Sequence, residues 1–466
     1  MAASTAPGEL GLSITGLGVQ YPPYNLGPDA IDILSKRYHP ESPAQVTSFF
    51  SCFALVEQVL ISLCNSMKKV LAINRYTGID QRSSIGNPDH PLVNQPNPPT
   101  VDELHRVFMS DGVPLAVEAS RKAMAEARVE LTQITHMVST TCTDSANPGY
   151  DHFVAKELGL SDRLEKVLLH GVGCSGGLAA LRTAANLCLG HKARGKPARI
   201  LVLALEVSTT LVRSELESIN ALQETRIGIA LFSDCASAVI LSNGIGEAPG
   251  KPAIYDLLGW ENRVIPDSEH DLGFDVDPMG WKVVLSPRVP LLAKASLQPT
   301  YADLLSSLQD QLPSSYQKPA DFDWAMHPGG ATILSGAESA MGLTPEHMRA
   351  SYDRYINHGN SSSATIFSVL NRLREKDMDA LAPGGKAKEY VVGCAFGPGI
   401  NVEMCLLKRR MNAPTRSVTG LDTPPETDDS EGPEPGSSAG SDDGESIEGE
   451  KEERFISEAL DNVELD

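Results

Sequence analysis

The segment VLLHGVGCSGGLAALRTAANLCLG, residues 167–190, decides how the rest of the chain is read. An apolar run enters a glycine-flanked cysteine, Cys174, and passes straight into a stretch rich in Ala and Leu. The pattern predicts a strand, a tight turn and a helix. The sulfur then sits at the positive N-terminal end of the helix, where a thiolate is favoured. Two roles fit Cys174: a nucleophile, or a buried structural thiol. The strand-turn-helix setting favours the nucleophile.

Outward from this segment, short runs rich in β-branched residues alternate with longer amphipathic ones across residues 10–411. LSITGLG, HMVSTTC, ARILVLALEV, CASAVILSN, FDWAMHP, EYVVGCAF and INVEMCLL read, like VLLHGVG, as strands buried on both faces. Leu115 to Ala127, Gly177 to Leu189, Tyr301 to Leu312 and Ser361 to Lys376 read as helices. The alternation predicts an α/β fold with helices layered on mixed sheets. VLLHGVG before one helix is weakly echoed by FDWAMHP before another, which suggests two similar halves.

Composition sets the bounds. The 466 residues carry 60 Asp and Glu against 39 Lys and Arg, a net charge of −21. Of these, 17 acidic and 3 basic residues fall in 412–466, a stretch of Pro, Gly, Ser, Asp and Glu that reads as a disordered acidic tail. Its last part, EERFISEALDNVEL, has helix-like apolar spacing and reads as a transient helix or a partner-binding one. A polyanionic chain without a basic stripe excludes sequence-independent nucleic-acid binding. The N-terminus lacks a basic region followed by an apolar core, so a cytoplasmic protein is expected. Eight cysteines without CxxC or Cys/His spacing imply reduced thiols and no metal site. The apolar run Phe49 to Cys64 is interrupted by Glu57 and Gln58 and falls short of the roughly 20 residues that span a bilayer. Residues 45–66 as a whole fit the pattern poorly: they are a buried extra helix or a translated intervening sequence.

Three further stretches carry polar chemistry. MHPGG places His327 at a strand end before a turn, as a partner for a thiolate or as an ordinary loop residue. HGNSSSA places Asn360 before Ser361–Ser363, where a helix N-cap or a turn is the simplest role. CAFGPGIN, residues 394–401, is a Gly/Pro turn between two strands.

Together, Cys174 in GVGCSGGLAALR, Phe232 in ALFSDCASAVIL, His327 in MHPGG, Asn360 in HGNSSSA and the AFGPG loop at 395–399 resemble the type III polyketide synthases, the chalcone synthase-like enzymes of the thiolase superfamily. KKVLAINRYTGID and GFDVDPMGWKVVLS are similar to the fungal branch, which makes alkylresorcylic acids and alkylpyrones. The resemblance implies a thiolase-like αβαβα fold of two halves, residues 1–250 and 251–411, followed by the tail. It implies that Cys174 carries an acyl group from acyl-CoA, that His327 as imidazolium holds the sulfur as thiolate, and that Asn360 and His327 stabilise the enolate formed when malonyl-CoA loses CO₂. No metal or redox cofactor is implied, and a homodimer is.

Further positions follow from the same resemblance. Phe232 matches one of two gatekeeping phenylalanines, while the second gate falls on Val283, a smaller residue that disfavours a phenylpropanoid starter. Cys142 and Thr143 line the cavity beside Ser362, Asn147 reaches the neighbouring subunit, and Gly397 and Pro398 shape the cyclisation chamber. Ala395 stands where the family usually has Gly. Lys69 and Arg75 are placed for CoA phosphates or lie on a solvated face. The competing readings are a ketoacyl synthase III-like enzyme, hydroxymethylglutaryl-CoA synthase, and an inactive thiolase-like scaffold.

Overall fold

The computed structural model describes residues 10–40, 65–247, 253–277 and 280–411. The expected half boundary at 250, most of the 45–66 segment and the acidic tail therefore lie outside the described residues. The strands are β1 (Leu12–Gln20), β2 (Tyr24–Leu26), β3 (Arg82–Ser84), β4 (His136–Thr140), β5 (Glu165–Leu169), β6 (Arg199–Val207), β7 (Asp234–Ser242), β8 (Tyr255–Val264), β9 (Leu272–Asp277), β10 (Gly280–Leu285), β11 (Asp323–Met326), β12 (Tyr390–Gly397) and β13 (Asn401–Arg409).

Nine of them form one sheet in the order β11-β12-β13-β8-β1-β7-β6-β4-β5. The sheet carries its own internal repeat. From β1 outward the pairings run antiparallel to β7, antiparallel to β6, then parallel to β4. From β8 outward they run antiparallel to β13, antiparallel to β12, then parallel to β11. A short antiparallel contact between β1 and β8 joins the two patterns.

Burial follows the two-residue period of a strand. On β6, Ile200 and Val202 face one apolar cluster, together with the helices Gly176–Ala193 and Thr365–Leu373. Leu201, Leu203 and Leu205 face another cluster, against the helix Val113–Ala127. On β12, Val391 joins the first cluster, while Val392 and Cys394 join a third with the helices Val289–Leu308 and Ala331–Met341. The two halves of the one sheet thus serve as two layers, giving helix, half-sheet, helix, half-sheet, helix, the layering expected of a thiolase-like fold. The glycines of LSITGLG let the layers touch: a Cβ on Gly16 or Gly18 would lie 2.0 Å from a carbonyl oxygen of the Val113–Ala127 helix.

Several elements differ from the sequence reading. VLLHGVG was read as a strand buried on both faces, but β5 is the sheet edge and its first three residues are exposed. The echo of FDWAMHP lies elsewhere, because the pairing pattern matches β11 with β4 and the helix Thr365–Leu373 with Gly176–Ala193. The helix expected at Tyr301 begins at Val289, with Pro290 in its first turn, and continues through Pro299. Strand β8 was not foreseen, since YDLLGWENRV has no sustained alternation; β1 and β13 make it a strand by pairing on both sides. No helix among the described residues is long and apolar enough to cross a membrane.

Candidate active site

Cys174 lies in a 3₁₀ turn, Gly173–Ser175, between β5 and the helix Gly176–Ala193. Gly173 has φ +56°, and a Cβ there would come within 2.5 Å of Pro398 Cδ. Glycine is thus required both by backbone conformation and by the AFGPG turn packed on it. Ser175 Oγ donates to Val172 O (3.1 Å) and pins the turn. Cys174 is half-buried, and desolvation pushes its thiol up to about 12, against a weaker opposing effect of the Ser362 hydroxyl, which donates to Sγ at 3.4 Å.

His327 follows β11, and its N–H donates to Cys394 O on β12 (2.8 Å). The residue is 1% exposed, and neither ring nitrogen has a hydrogen-bond partner. Burial lowers it from the usual histidine range to about 3. No hydrogen bond joins the ring to Cys174. Burial thus favours the neutral form of each group, where the resemblance implies thiolate and imidazolium.

Asn360 is a turn residue and not a helix N-cap. Its backbone bridges to Phe232, with Asn360 N–H donating to Leu231 O (3.0 Å) and Ser233 N–H to Asn360 O (2.9 Å). Its Nδ2 donates to Gly329 O (3.2 Å), two residues from His327, and its Oδ1 accepts from Ser362 N–H (2.9 Å). That last bond holds Ser362 at φ +47°, a conformation uncommon for a non-glycine residue. Ser362 Oγ lies 3.4 Å from both Cys174 Sγ and Cys142 Sγ. Cys174, Ser362, Asn360, Gly329 and His327 therefore form one continuous cluster.

Sequence reasoning missed the group beneath it. Glu206, fully buried on β6, accepts from Cys142 N–H (3.1 Å), Thr143 Oγ1 (3.0 Å), Thr141 Oγ1 (3.3 Å) and the Ser363 hydroxyl. It ties the Thr141–Thr143 loop to the Ser361–Ser363 turn. Burial raises its carboxyl above the ordinary value, with these donors opposing. The available signal was one acid inside the otherwise apolar ARILVLALEV, a placement that demands partners.

Phe232 and Val283 are brought together around Gly228, where a Cβ would lie 3.0 Å from Val283 Cγ2 and 3.4 Å from Phe232 Cδ2. Val283 on β10 pairs with Phe274 on β9, and Phe274 meets Phe232 edge to face at 6.0 Å. Phe274 thus puts an aromatic ring beside Phe232, on the strand paired with Val283. Cross-strand register, invisible in sequence, brings it there. Asn147 is exposed on the loop after Cys142. Lys69 and Arg75 lie on the helix Asn65–Tyr76, which packs against the helices Val212–Leu222 and Gly228–Leu231 that lead to Phe232. Arg75 is already paired with Asp32 at 2.7 Å.

Residues 53–245 match the family model of chalcone and stilbene synthases, N-terminal domain, and residues 257–410 match the C-terminal domain. The chain belongs to the chalcone and stilbene synthase family. It is a type III polyketide synthase, an acyltransferase of the condensing kind. It is 39% identical to the type III polyketide synthase pspB of Penicillium soppii, over 86% of this chain and 96% of that one. It is 35% identical to the acylalkylpyrone synthase csyB of Aspergillus oryzae, over 85% and 94%. The crystal structure of a type III pentaketide synthase from Neurospora crassa matches at 90% identity and TM-score 0.80, covering 86% of this synthase and all of that chain.

Proposed function

We propose that this synthase condenses malonyl-CoA onto a fatty acyl-CoA starter held as a thioester on Cys174, and cyclises the product to an alkylpyrone or an alkylresorcinol or resorcylic acid. The observation that carries the reading is the continuous cluster from Cys174 through Ser362 and Asn360 to His327, whose bare ring nitrogens can take a proton. The names of the acylalkylpyrone and pentaketide relatives support the product class.

The chemistry follows from the neutral pair. As Cys174 Sγ attacks the starter thioester, His327 takes its proton and hands it on to the departing sulfur, so that coenzyme A leaves as the thiol. A ring N–H of the neutral His327 and the Asn360 carboxamide then donate to the malonyl thioester carbonyl. Loss of CO₂ leaves an enolate on that oxygen, where donors aimed at developing charge lower the barrier. The enolate carbon attacks the acyl group on Cys174, a carbon–carbon bond forms, and the sulfur leaves as thiolate. Every step is a proton transfer, an acyl transfer or a decarboxylation onto a thioester carbonyl, so the reaction calls for no metal or redox cofactor. Substrates arriving past the Lys69 and Arg75 helix would meet Phe232 first. A homodimer in the cytoplasm, with Asn147 reaching across and Gly397 and Pro398 walling the chamber, completes the proposal.

The test is product formation from labelled malonyl-CoA with hexanoyl-, lauroyl-, palmitoyl- and coumaroyl-CoA. Each buried methylene contributes about 0.8 kcal/mol, so kcat/KM should climb with chain length until the tunnel ends. Cys174→Ala should make no polyketide while retaining partial CO₂ release. Val283→Phe crowds Gly228, Phe232 and Phe274 and should shift the preference to shorter starters. A wild type that prefers coumaroyl-CoA, or a Val283→Phe profile identical to wild type, would refute the starter assignment.

A further inference from the structure

At the end of the sheet remote from Cys174, three metal-ligating side chains converge. His136 is the first residue of β4 and Glu165 the first of β5, and the parallel register sets them directly opposite. His191 lies in the last turn of the helix Gly176–Ala193. Their ligand atoms all lie within 4.8 Å of one another, with His136 Nε2 3.6 Å from Glu165 Oε2. The imidazoles meet edge to face, centroids 4.5 Å apart.

The hydrogen bonds around the cluster leave both imidazoles ready to ligate. His136 Nδ1 lies 2.7 Å from Thr135 Oγ1, a hydroxyl that also accepts from Arg199 N–H (3.0 Å) and lies 3.1 Å from Arg199 O. Pro197 O, a carbonyl, accepts from His191 Nδ1 (3.3 Å). His191 therefore carries a proton on Nδ1 and keeps its Nε2 lone pair, and in His136 Nδ1 is engaged by Thr135 while Nε2 faces the cluster. Both Nε2 atoms are buried without a hydrogen-bond partner, and His136 is only 1% exposed. Two bare imidazole nitrogens beside a carboxylate leave polar groups unsatisfied at a cost. A carbonyl or hydroxyl that engages the other ring nitrogen is the usual companion of a metal-bound histidine.

We propose that His136, Glu165 and His191 bind a borderline divalent cation of the zinc type. The donor set of two imidazoles and one carboxylate suits such metals. Metal–ligand bonds of about 2.0–2.1 Å place tetrahedral ligand atoms roughly 3.3 Å apart. The His136–Glu165 spacing of 3.6 Å is near that value, and His191, within 4.8 Å of both, has to close by at most about 1.5 Å. Glu165, with a side chain 68% exposed, leaves the fourth position to water. The opposing charge is Arg194, whose Nε donates to Gly190 O (3.2 Å). The helix that starts beside Cys174 ends at this site, roughly 25 Å away at 1.5 Å per residue. The ion's role is therefore to clamp helix to sheet edge, not to take part in condensation.

The experiment uses the full chain, stripped by a chelator and titrated with ZnCl₂ by calorimetry, with melting temperature followed in parallel. The expected result is one saturating equivalent and a rise in melting temperature. In His191→Gln and Glu165→Gln the affinity should fall at least tenfold and the rise should disappear, while polyketide formation stays unchanged. Zinc binding of equal strength in His191→Gln, or no saturable binding in wild type, would overturn the site. His191 is partly exposed, so its variant folds even where His136→Gln does not. Cys174→Ala serves as the control for zinc captured by active-site thiols: retention of the equivalent supports the site, and its loss overturns it.

Discussion

At the scale of the residue, the thiol of Cys174 is governed by two opposed effects. The 18-residue helix that begins at Gly176 favours thiolate, but a helix terminus contributes only about 0.3–1 kcal/mol in an ordinary setting. Burial wins, and the thiol rises to about 12 while His327 falls to about 3. The sign of the consequence is clear. An acid held above its ordinary pKa, beside a base held below its own, stays neutral through the physiological range. Alkylation of Cys174 by iodoacetamide should therefore rise about tenfold per pH unit from pH 6 to 9 with no plateau, as read by mass spectrometry of its peptide. A rate that is flat above pH 5 would show a standing thiolate–imidazolium pair and overturn the neutral-pair mechanism.

At the scale of the element, the AFGPG turn and the cysteine turn are built as one piece. A Cβ on Gly397 would lie 2.2 Å from Ser175 Oγ and 2.4 Å from Val172 O, and the second of these is backbone that cannot rotate away. Gly397→Ala should therefore displace the Gly173–Ser175 turn. Overpacking of this kind costs about 1–3 kcal/mol, so the variant should fold with a lowered melting temperature and lose tenfold or more in condensation. Thermal melting and product assay on one preparation check both. A variant with wild-type stability and turnover would show that the two turns are not tightly coupled. The motif AFGPG was legible in sequence as a tight turn; its requirement for glycine at 397 was not, because Val172 and Ser175 are more than 200 residues away along the chain.

At the scale of the whole molecule, the family match ends at residue 410 and the acidic stretch begins just beyond it. Removing residues 412–466 should leave turnover and melting temperature within error of wild type, because a segment so charged and so poor in apolar residues adds little to a core. Loss of folding or product in the truncated chain would show that EERFISEALDNVEL docks on the body. Local pattern alone determined the α/β class, eight of the strands and the turn carrying Cys174, since a strand buried on both faces and a glycine-bound turn are written in adjacent residues. Order and spacing of short motifs also pointed to Cys174, His327 and Asn360. Only tertiary structure decided that Asn360 bridges Phe232 and Gly329, that Glu206 underpins the site, and that Phe274 faces Val283. The same holds for His136, Glu165 and His191, whose separation along the chain matches no metal motif. Register between strands and the packing of a helix end brought them together, and long-range pairing of that kind leaves no periodic trace in a single sequence.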